Sequence, residues 1–253
     1  MEIINSLHSL REALPGKGQL KIGVWGDSLF QGVVLDDVAG RYRILKDNAV
    51  SMCSQALKAT IENFSKFGCT VTKGKQRMQQ HLDKGKTCDI AILEYGGNDC
   101  DMPWDAISAQ PEQKHSPKVP LKVFSEQIQE MINSLVSHGV IPLLTTLPPL
   151  HHERYLSWIC RNGLSRENIL SFLGDSHLIY RHHERYSLEI SSLARENDCR
   201  VVDVRSAFLD HGDYGELLCL DGIHPNDKGQ MLIRETFMEF VDKYMPSIRL
   251  QPA

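Results

Sequence analysis

Two short segments near opposite ends of the 253-residue chain contain the side chains of a nucleophilic serine site. Ser28 stands in Gly26-Asp27-Ser28-Leu29, directly after an apolar run, and His224 follows Asp221 by three residues. A serine hydroxyl is a poor nucleophile at neutral pH, so it needs a base within reach and a third group that orients the base. His224 is the candidate base. Asp221 is the candidate partner for its Nδ1 atom, which would leave Nε2 facing Ser28.

Acyl transfer to a serine also needs hydrogen-bond donors for the oxyanion, each worth about 3–4 kcal/mol. Gly96-Gly97-Asn98-Asp99 follows the clearest apolar run, and its glycines permit close backbone approach and leave the Asn98 amide free to donate. Gly68, after another predicted strand, is a second candidate donor through its backbone N–H. Each motif also has a plainer interpretation: Ser28 as a helix N-cap, and the Gly and Asn residues as ordinary turn residues. Asp27 and Asp99 are interpreted as turn-stabilising residues.

These motifs must be positioned by a regular framework, which the hydrophobic pattern predicts to be α/β. Predicted helices alternate with predicted strands, and the strands are near-continuous apolar runs. Such a pattern indicates a parallel sheet covered by helices on both faces, with ligand sites beyond the carboxyl ends of the strands. The predicted strands cover residues 20–25, 60–64, 88–95, 140–147 and 199–204, with a small hairpin at 33–45. The predicted helices cover residues 3–14, 51–59, 73–84, 121–138, 176–197 and 227–244.

We predict a single domain over residues 1–253, with insertions at about 99–120 and 148–175. The first insertion is predicted to be a loop rich in Pro and Gln, and the second an irregular segment rich in aromatic residues and histidines. Their large side chains either line a pocket, stacking on a sugar or holding an acyl chain, or pack the insertions onto the body. These side chains are Met102, Trp104, Ile107, His115, Tyr155, Leu156, Trp158, Ile159 and Phe172.

The pentapeptide His-His-Glu-Arg-Tyr occurs twice, at residues 151–155 and 182–186. Its spacing differs from the HExxH zinc motif, and adjacent histidines on a helix point in different directions. We interpret the repeat as a coincidence on solvated or lid-like surfaces.

Composition narrows the class of protein. A net charge of −4 without a long basic block argues against nucleic acid as a partner, and no apolar stretch is long enough for integral membrane association. The seven cysteines include no CxxC pair, which favours reduced thiols over a disulfide framework. With no secretory signal pattern at the beginning of this sequence, we expect a cytoplasmic protein.

Taken in chain order, four segments resemble those of the SGNH (GDSL-type) hydrolase family, and the resemblance covers about residues 20–243. They are residues 26–29, residues 63–70 with Asn63 five positions before Gly68, residues 97–99, and Asp221-Gly222-Ile223-His224-Pro225-Asn226. The chain lacks the second glycine of the GxSxG elbow and has no phosphate-binding loop, which disfavours an α/β-hydrolase or a nucleotide-binding protein.

The resemblance implies a three-layer α/β/α flavodoxin-like sandwich with a five-stranded parallel sheet. It implies Ser28 as nucleophile, His224 as general base and then acid, and Asp221 as the residue that orients His224. It implies an oxyanion hole formed by the backbone N–H groups of Ser28 and Gly68 and the side chain of Asn98. No metal or organic cofactor is required.

From this resemblance we expect the substrate to be a carboxylic ester of a small molecule or of a carbohydrate. The family cleaves carbohydrate acetyl esters, lysophospholipids, thioesters and aryl esters. Because no membrane-binding amphipathic stretch stands out, we favour a short acyl group such as the acetyl of a sugar. A lysophospholipase-like or thioesterase-like acylhydrolase, an acyltransferase, and a binding module that keeps the fold without turnover are the alternatives.

Overall fold

The computed structural model describes residues 19–36 and 38–250, so the helix predicted over residues 3–14 lies outside the described residues. The strands are β1 Leu20–Trp25, β2 Val33–Asp36, β3 Arg41–Ile44, β4 Ala59–Asn63, β5 Ile90–Leu93, β6 Ile141–Thr145 and β7 Arg200–Val202. Five of them form a parallel sheet in the order β4, β1, β5, β6 and β7, while β2 and β3 form a separate antiparallel hairpin. When the five parallel strands are numbered among themselves in chain order, the sheet has the order 2-1-3-4-5, which is the flavodoxin-like order.

Helices cover both faces of the sheet, which confirms the predicted three layers. The helices are α1 Ser28–Gln31, α2 Ala49–Ala56, α3 Val71–Asp83, α4 Trp104–Ala109, α5 Leu121–Ser137, α6 His152–Cys160, α7 Arg166–Leu173, α8 His177–Glu196, α9 Val204–Leu209 and α10 Asp227–Tyr244. Alternate residues of a strand point to opposite faces. Ile90 and Ile92 therefore pack with α2, α9 and α10, while Ala91 and Leu93 pack with α3, α5 and α8.

The last strand is shorter than predicted because a helix begins directly behind it. The pattern predicts a strand to residue 204, but β7 ends at Val202 and Asp203 is the N-cap of α9. The Asp203 carboxylate accepts a hydrogen bond from the Ser206 N–H, which satisfies one of the unpaired donors at the start of a helix.

The prediction that residues 99–120 and 148–175 lack regular structure is wrong, since the first segment contains α4 and the second contains α6 and α7. Ser165 caps α7 at its N-terminus, where its hydroxyl accepts from the Asn168 N–H, and Gly174 follows the last helical residue. We call α4, α6 and α7 together the cap. The cap has its own apolar cluster, shared with Leu150 and the start of α8, whose buried members are Ile107, Leu150, Leu156, Ile159, Ile169, Leu173 and Ile179.

Within the described part of the chain, no helix combines the length and the apolar character needed to cross a bilayer. All seven cysteines lie in this part, none of them forms a disulfide within it, and four are buried. Burial raises the pKa of the Cys53, Cys88 and Cys199 thiols to about 11, so these side chains are neutral at physiological pH.

Candidate active site

Ser28 lies where the polypeptide leaves the carboxyl end of β1 and enters α1. It is the first residue of α1, and Asp27 is the N-cap, whose Oδ1 accepts from the Leu29 N–H at 2.9 Å. The N-cap role considered for Ser28 is therefore filled by Asp27, which agrees with the turn-stabilising role predicted for Asp27. This arrangement places the Ser28 hydroxyl at the rim of the sheet.

The structure brings Ser28, His224 and Asp221 together from segments almost two hundred residues apart. His224 Nε2 lies 3.0 Å from Ser28 Oγ, and His224 Nδ1 lies 2.7 Å from Asp221 Oδ2. The other Asp221 oxygen accepts from the backbone N–H groups of Ile223 and His224, so the loop itself aims the carboxylate at the imidazole. All three side chains are buried, with Asp221 fully enclosed.

The surroundings of Asp221 stabilise its ionised form, which faces His224 Nδ1. Burial raises the pKa of Asp221, but the hydrogen bond and charge of His224 and the two backbone N–H groups outweigh it, and the net pKa lies below the ordinary value. Asp221 is therefore an ionised acceptor, which favours the His224 tautomer that carries its proton on Nδ1.

The residues that carry the three predicted oxyanion donors, Ser28, Gly68 and Asn98, all line the same cavity. Gly68 has φ of +67°, a conformation that suits glycine. Within residues 19–36 and 38–250, the N–H groups of Ser28 and Gly68 donate to no protein acceptor. The expectation that the Asn98 amide is free is wrong in part, because Nδ2 donates to Asp27 Oδ2 at 2.8 Å. An amide nitrogen carries two hydrogens, so one remains for a ligand.

Three carboxyl groups lie buried beneath this rim: Asp27, Glu94 and Asp99. Burial raises the pKa of all three, and the neighbouring Asp27 charge raises the pKa of Glu94 further. Burial and the same Asp27 charge raise the pKa of Asp99 to about 7, against the hydrogen bond its Oδ1 accepts from the Val71 N–H. Asp99 thus ties the start of α3 to the loop that carries Asn98.

The cavity beside Ser28 has a volume of about 710 Å³ and extends from the hairpin β2–β3 to the cap and α8. Of the large side chains predicted either to line a pocket or to pack against the body, some pack in the interior and others line this cavity. Ile107 and Leu156 are fully buried inside the cap. The others line the cavity: Met102, Trp104, His115, Tyr155, Trp158, Ile159 and Phe172.

Two aromatic residues that were not predicted as site residues flank His224. The Tyr42 ring, from β3, lies 4.9 Å from the imidazole between ring centroids, and the Phe67 ring lies 6.1 Å away and nearly parallel. Burial and the neighbouring Asp221 raise the pKa of Tyr42 far above its ordinary value, so the phenol stays protonated. Phe67 precedes Gly68, and this adjacency was the available signal for Phe67. Nothing local in the sequence indicates Tyr42.

The two His-His-Glu-Arg-Tyr segments have different surroundings. In the first, His151 caps α6 and the Tyr155 hydroxyl donates to Asp101 at 2.6 Å. In the second, His183 and Tyr186 are buried, so the expectation of a solvated surface is wrong for this copy. Across residues 19–36 and 38–250, no three side chains of the metal-binding types come together as a metal site.

Comparisons with known proteins identify the family of this chain. The model of the GDSL-like lipase/acylhydrolase family matches residues 24–232, which include Ser28, Gly68, Asn98, Asp221 and His224. No curated protein matches the chain in sequence.

Several solved structures share the fold at low sequence identity. A lipase/acylhydrolase from Enterococcus faecalis is 18% identical with a TM-score of 0.62, and the match covers 93% of this chain and 100% of that one. The acetyl xylan esterase AlAXEase is 19% identical with a TM-score of 0.59, covering 88% and 100%. An acetyl-xylooligosaccharide esterase from Geobacillus is 18% identical with a TM-score of 0.62, covering 93% and 99%.

Likeness at these identities establishes the fold, while the family match covers most of the chain. The chain therefore belongs to the GDSL-like lipase/acylhydrolase family and is an SGNH-type serine hydrolase of ester bonds.

Proposed function

We propose that this chain is a serine esterase that removes a short acyl group, foremost acetyl, from a carbohydrate ester through an acyl-Ser28 intermediate. The observation that carries the proposal is the continuous hydrogen-bonded path from Asp221 Oδ2 through His224 to Ser28 Oγ, at 2.7 and 3.0 Å. These are the distances that a base and its orienting carboxylate need for nucleophilic catalysis.

In the first half-reaction, Ser28 Oγ forms a bond to the ester carbonyl carbon while its proton passes to His224 Nε2. The charge that develops on the carbonyl oxygen is stabilised by the Ser28 and Gly68 N–H groups and by the Asn98 hydrogen that Asp27 leaves free. The bond to the alcohol oxygen then breaks, and His224 gives its proton to the leaving alkoxide.

In the second half-reaction, water attacks the acyl carbon and its proton passes to His224. The bond between the acyl carbon and Ser28 Oγ breaks, Ser28 recovers its proton and the carboxylic acid leaves. The ionised Asp221 stabilises the imidazolium that forms twice in each cycle.

Aromatic groups around the site support a sugar as the alcohol. Tyr42 and Trp158 lie 6.1 Å apart between ring centroids, and Phe67 is 55% exposed although it is large and apolar. Rings of this kind present the flat apolar faces on which sugars stack. Two of the proteins that share the fold are acetyl esterases of xylan or xylooligosaccharides, by their names.

The size and lining of the cavity favour a second candidate, an acylhydrolase for longer chains of the lysophospholipase or thioesterase kind. The cavity volume of about 710 Å³ exceeds what an acetyl group requires, and its lining includes the apolar side chains of Ile159, Phe172 and Leu178. A fatty acyl chain would gain about 0.8 kcal/mol for each methylene buried there.

A substrate panel tests both candidates. It contains p-nitrophenyl esters of increasing acyl length together with acetylated xylo- and cello-oligosaccharides, assayed with wild type and Ser28→Ala. We expect the highest kcat/KM on acetyl esters and a loss of several orders of magnitude in the variant. A kcat/KM that rises steadily with chain length would replace the acetyl proposal with the second candidate.

Two further measurements separate the remaining possibilities. Labelling of Ser28 by a fluorophosphonate probe distinguishes an enzyme from a binding module. A Ser28→Ala variant that retains half of the wild-type activity would refute Ser28 as the nucleophile. Product analysis with added acceptor alcohols distinguishes hydrolysis from acyl transfer, since a transferase would form the new ester at the expense of free acid.

A further inference from the structure

Glu94 is a fully buried carboxyl group to which the proposed reaction assigns no step. It directly follows β5 in an otherwise apolar run, and such a residue is almost never buried without a specific partner. Room for it depends on Gly26, because a Cβ atom there would lie 2.7 Å from Glu94 Oε2. The glycine that opens the Ser28 motif therefore makes space for this side chain.

Glu94 is joined to the oxyanion donor Asn98 through one intermediate residue. Its Oε2 accepts from the Asp27 N–H at 3.0 Å, which brings these two buried residues into direct contact. Asp27 Oδ2 in turn accepts from Asn98 Nδ2 at 2.8 Å. This path therefore connects Glu94, directly after β5, with Asp27 in the turn after β1 and then with Asn98 in the loop after β5. Glu94 and Asp27 are buried, and Asn98 is partly exposed.

Two ionised carboxylates cannot stay in contact in such a place. In the described part of the chain, neither Asp27 nor Glu94 makes an ion pair. The other titratable groups near them are Cys69, Tyr95, Asp99, Cys100 and His224. A single proton shared between the two carboxyl groups satisfies both. Asp27 already accepts from Leu29 and Asn98, whereas Glu94 Oε1 has no partner, so the proton resides on Glu94.

We propose that Glu94 is a positioning residue: by donating a hydrogen bond to Asp27, it holds Asp27 as an acceptor for Asn98 and so turns the second Asn98 N–H toward the space beside Ser28. Its consequence for turnover rests on the proposed function. Without the donor, Asp27 would carry the proton itself, and the Asn98 side chain could rotate to present its oxygen, which repels an oxyanion.

The proposal is tested with Glu94→Met, which keeps the size but has no donor, and Glu94→Gln, which restores an N–H toward Asp27. We expect Glu94→Met to lower kcat about 10- to 100-fold with KM nearly unchanged, and Glu94→Gln to stay within about threefold of wild type. Glu239→Met, on the exposed face of α10, is the matched control and should leave kcat unchanged. Full activity in Glu94→Met would overturn the proposal.

Two spectroscopic readouts do not depend on activity. Infrared difference spectra of wild type against Glu94→Gln should show a protonated carboxyl band at neutral pH that the variant lacks. The side-chain amide resonances of Asn98 should move in Glu94→Met and return in Glu94→Gln. Absence of that band, or Asn98 resonances that do not respond to Glu94→Met, would overturn the proposal.

These readouts also separate this inference from the proposed function. A wild-type protein that cleaves no ester and is not labelled at Ser28 would refute the esterase proposal, while the band and the Asn98 resonances would still decide the role of Glu94. If Glu94→Met does not fold, wild type and Glu94→Gln alone supply the infrared test.

Discussion

The rim of the sheet and the cap enclose the same cavity but are stabilised by different forces. At the rim, Ser28, Asn98 and His224 are fixed by hydrogen bonds between polar groups that are distant in sequence and mostly buried. The cap is held by an apolar cluster around Ile107 and Leu156. Directional bonds fix atoms to within tenths of an ångström, whereas apolar contacts fix mainly volume and shape. Changes at the rim should therefore affect kcat, and changes around the cavity wall should affect KM.

Asp221→Asn should have the largest effect among changes that keep the shape of the rim. The amide cannot supply the charge that stabilises the His224 imidazolium, so kcat should fall about 10³- to 10⁴-fold with KM little changed. Steady-state kinetics on p-nitrophenyl acetate measure the loss. Asp210→Asn, at an exposed position, is the control, and a drop below tenfold would remove Asp221 from its proposed role.

Asn98→Ala should lower kcat about 10²- to 10³-fold, since it removes one of the proposed oxyanion donors and leaves the path from Asp221 to Ser28 in place. Fluorophosphonate labelling of Ser28 should slow along with turnover, because both reactions place negative charge on the same oxygen. An unchanged kcat would show that Asn98 serves only as a partner for Asp27.

The buried carboxyls of the rim also predict how stability depends on pH. The pKa of Asp99 is raised to about 7 in the folded protein, and an aspartate in the unfolded chain has a pKa near 3.9. The folded state thus keeps a proton that the unfolded state releases, and the free energy of unfolding falls as pH rises from about 4 to about 7.

Asp99→Asn should remove this contribution, because its amide oxygen can still accept from the Val71 N–H but does not titrate. Relative to wild type, the variant should gain about 3–5 kcal/mol of unfolding free energy across that pH range, since each unit of pKa difference contributes about 1.4 kcal/mol. Urea denaturation at a series of pH values measures the difference, with Asp105→Asn as the exposed control. A constant difference between variant and wild type would show that Asp99 is ionised throughout.

The difference between the rim and the cap also explains which features could be predicted from the sequence. The main sheet and the positions of Ser28, Asn98, Asp221 and His224 after strand ends or in the last loop were predictable, because strand periodicity and short motifs are local signals. Asp27 and Glu94 meet across 67 positions of sequence, and no local pattern encodes that contact. A lone carboxylate ending the apolar run at Glu94 was the one available signal.

The cap was missed for a different reason. Leu156 and Ile159, and likewise Ile169 and Leu173, have helical spacing, but each helix is short and its apolar residues face another insertion far away in sequence. Isolated short helices are marginal, so their stability comes from tertiary packing that a periodicity argument does not include.

The cavity wall near the hairpin is the place where an effect on KM should appear alone. Phe67 is 55% exposed and its ring lies nearly parallel to the His224 imidazole, so Phe67→Ala should cost little stability while removing one face against which a substrate can pack. KM for acetylated xylo-oligosaccharides should rise about two- to tenfold, with kcat on p-nitrophenyl acetate unchanged. Leu188→Ala, at 59% exposure on α8 and away from the cavity, is the matched control. A fall in kcat rather than a rise in KM would mean that Phe67 holds the His224 ring in place, and the division between rim and wall would then need to be redrawn at that residue.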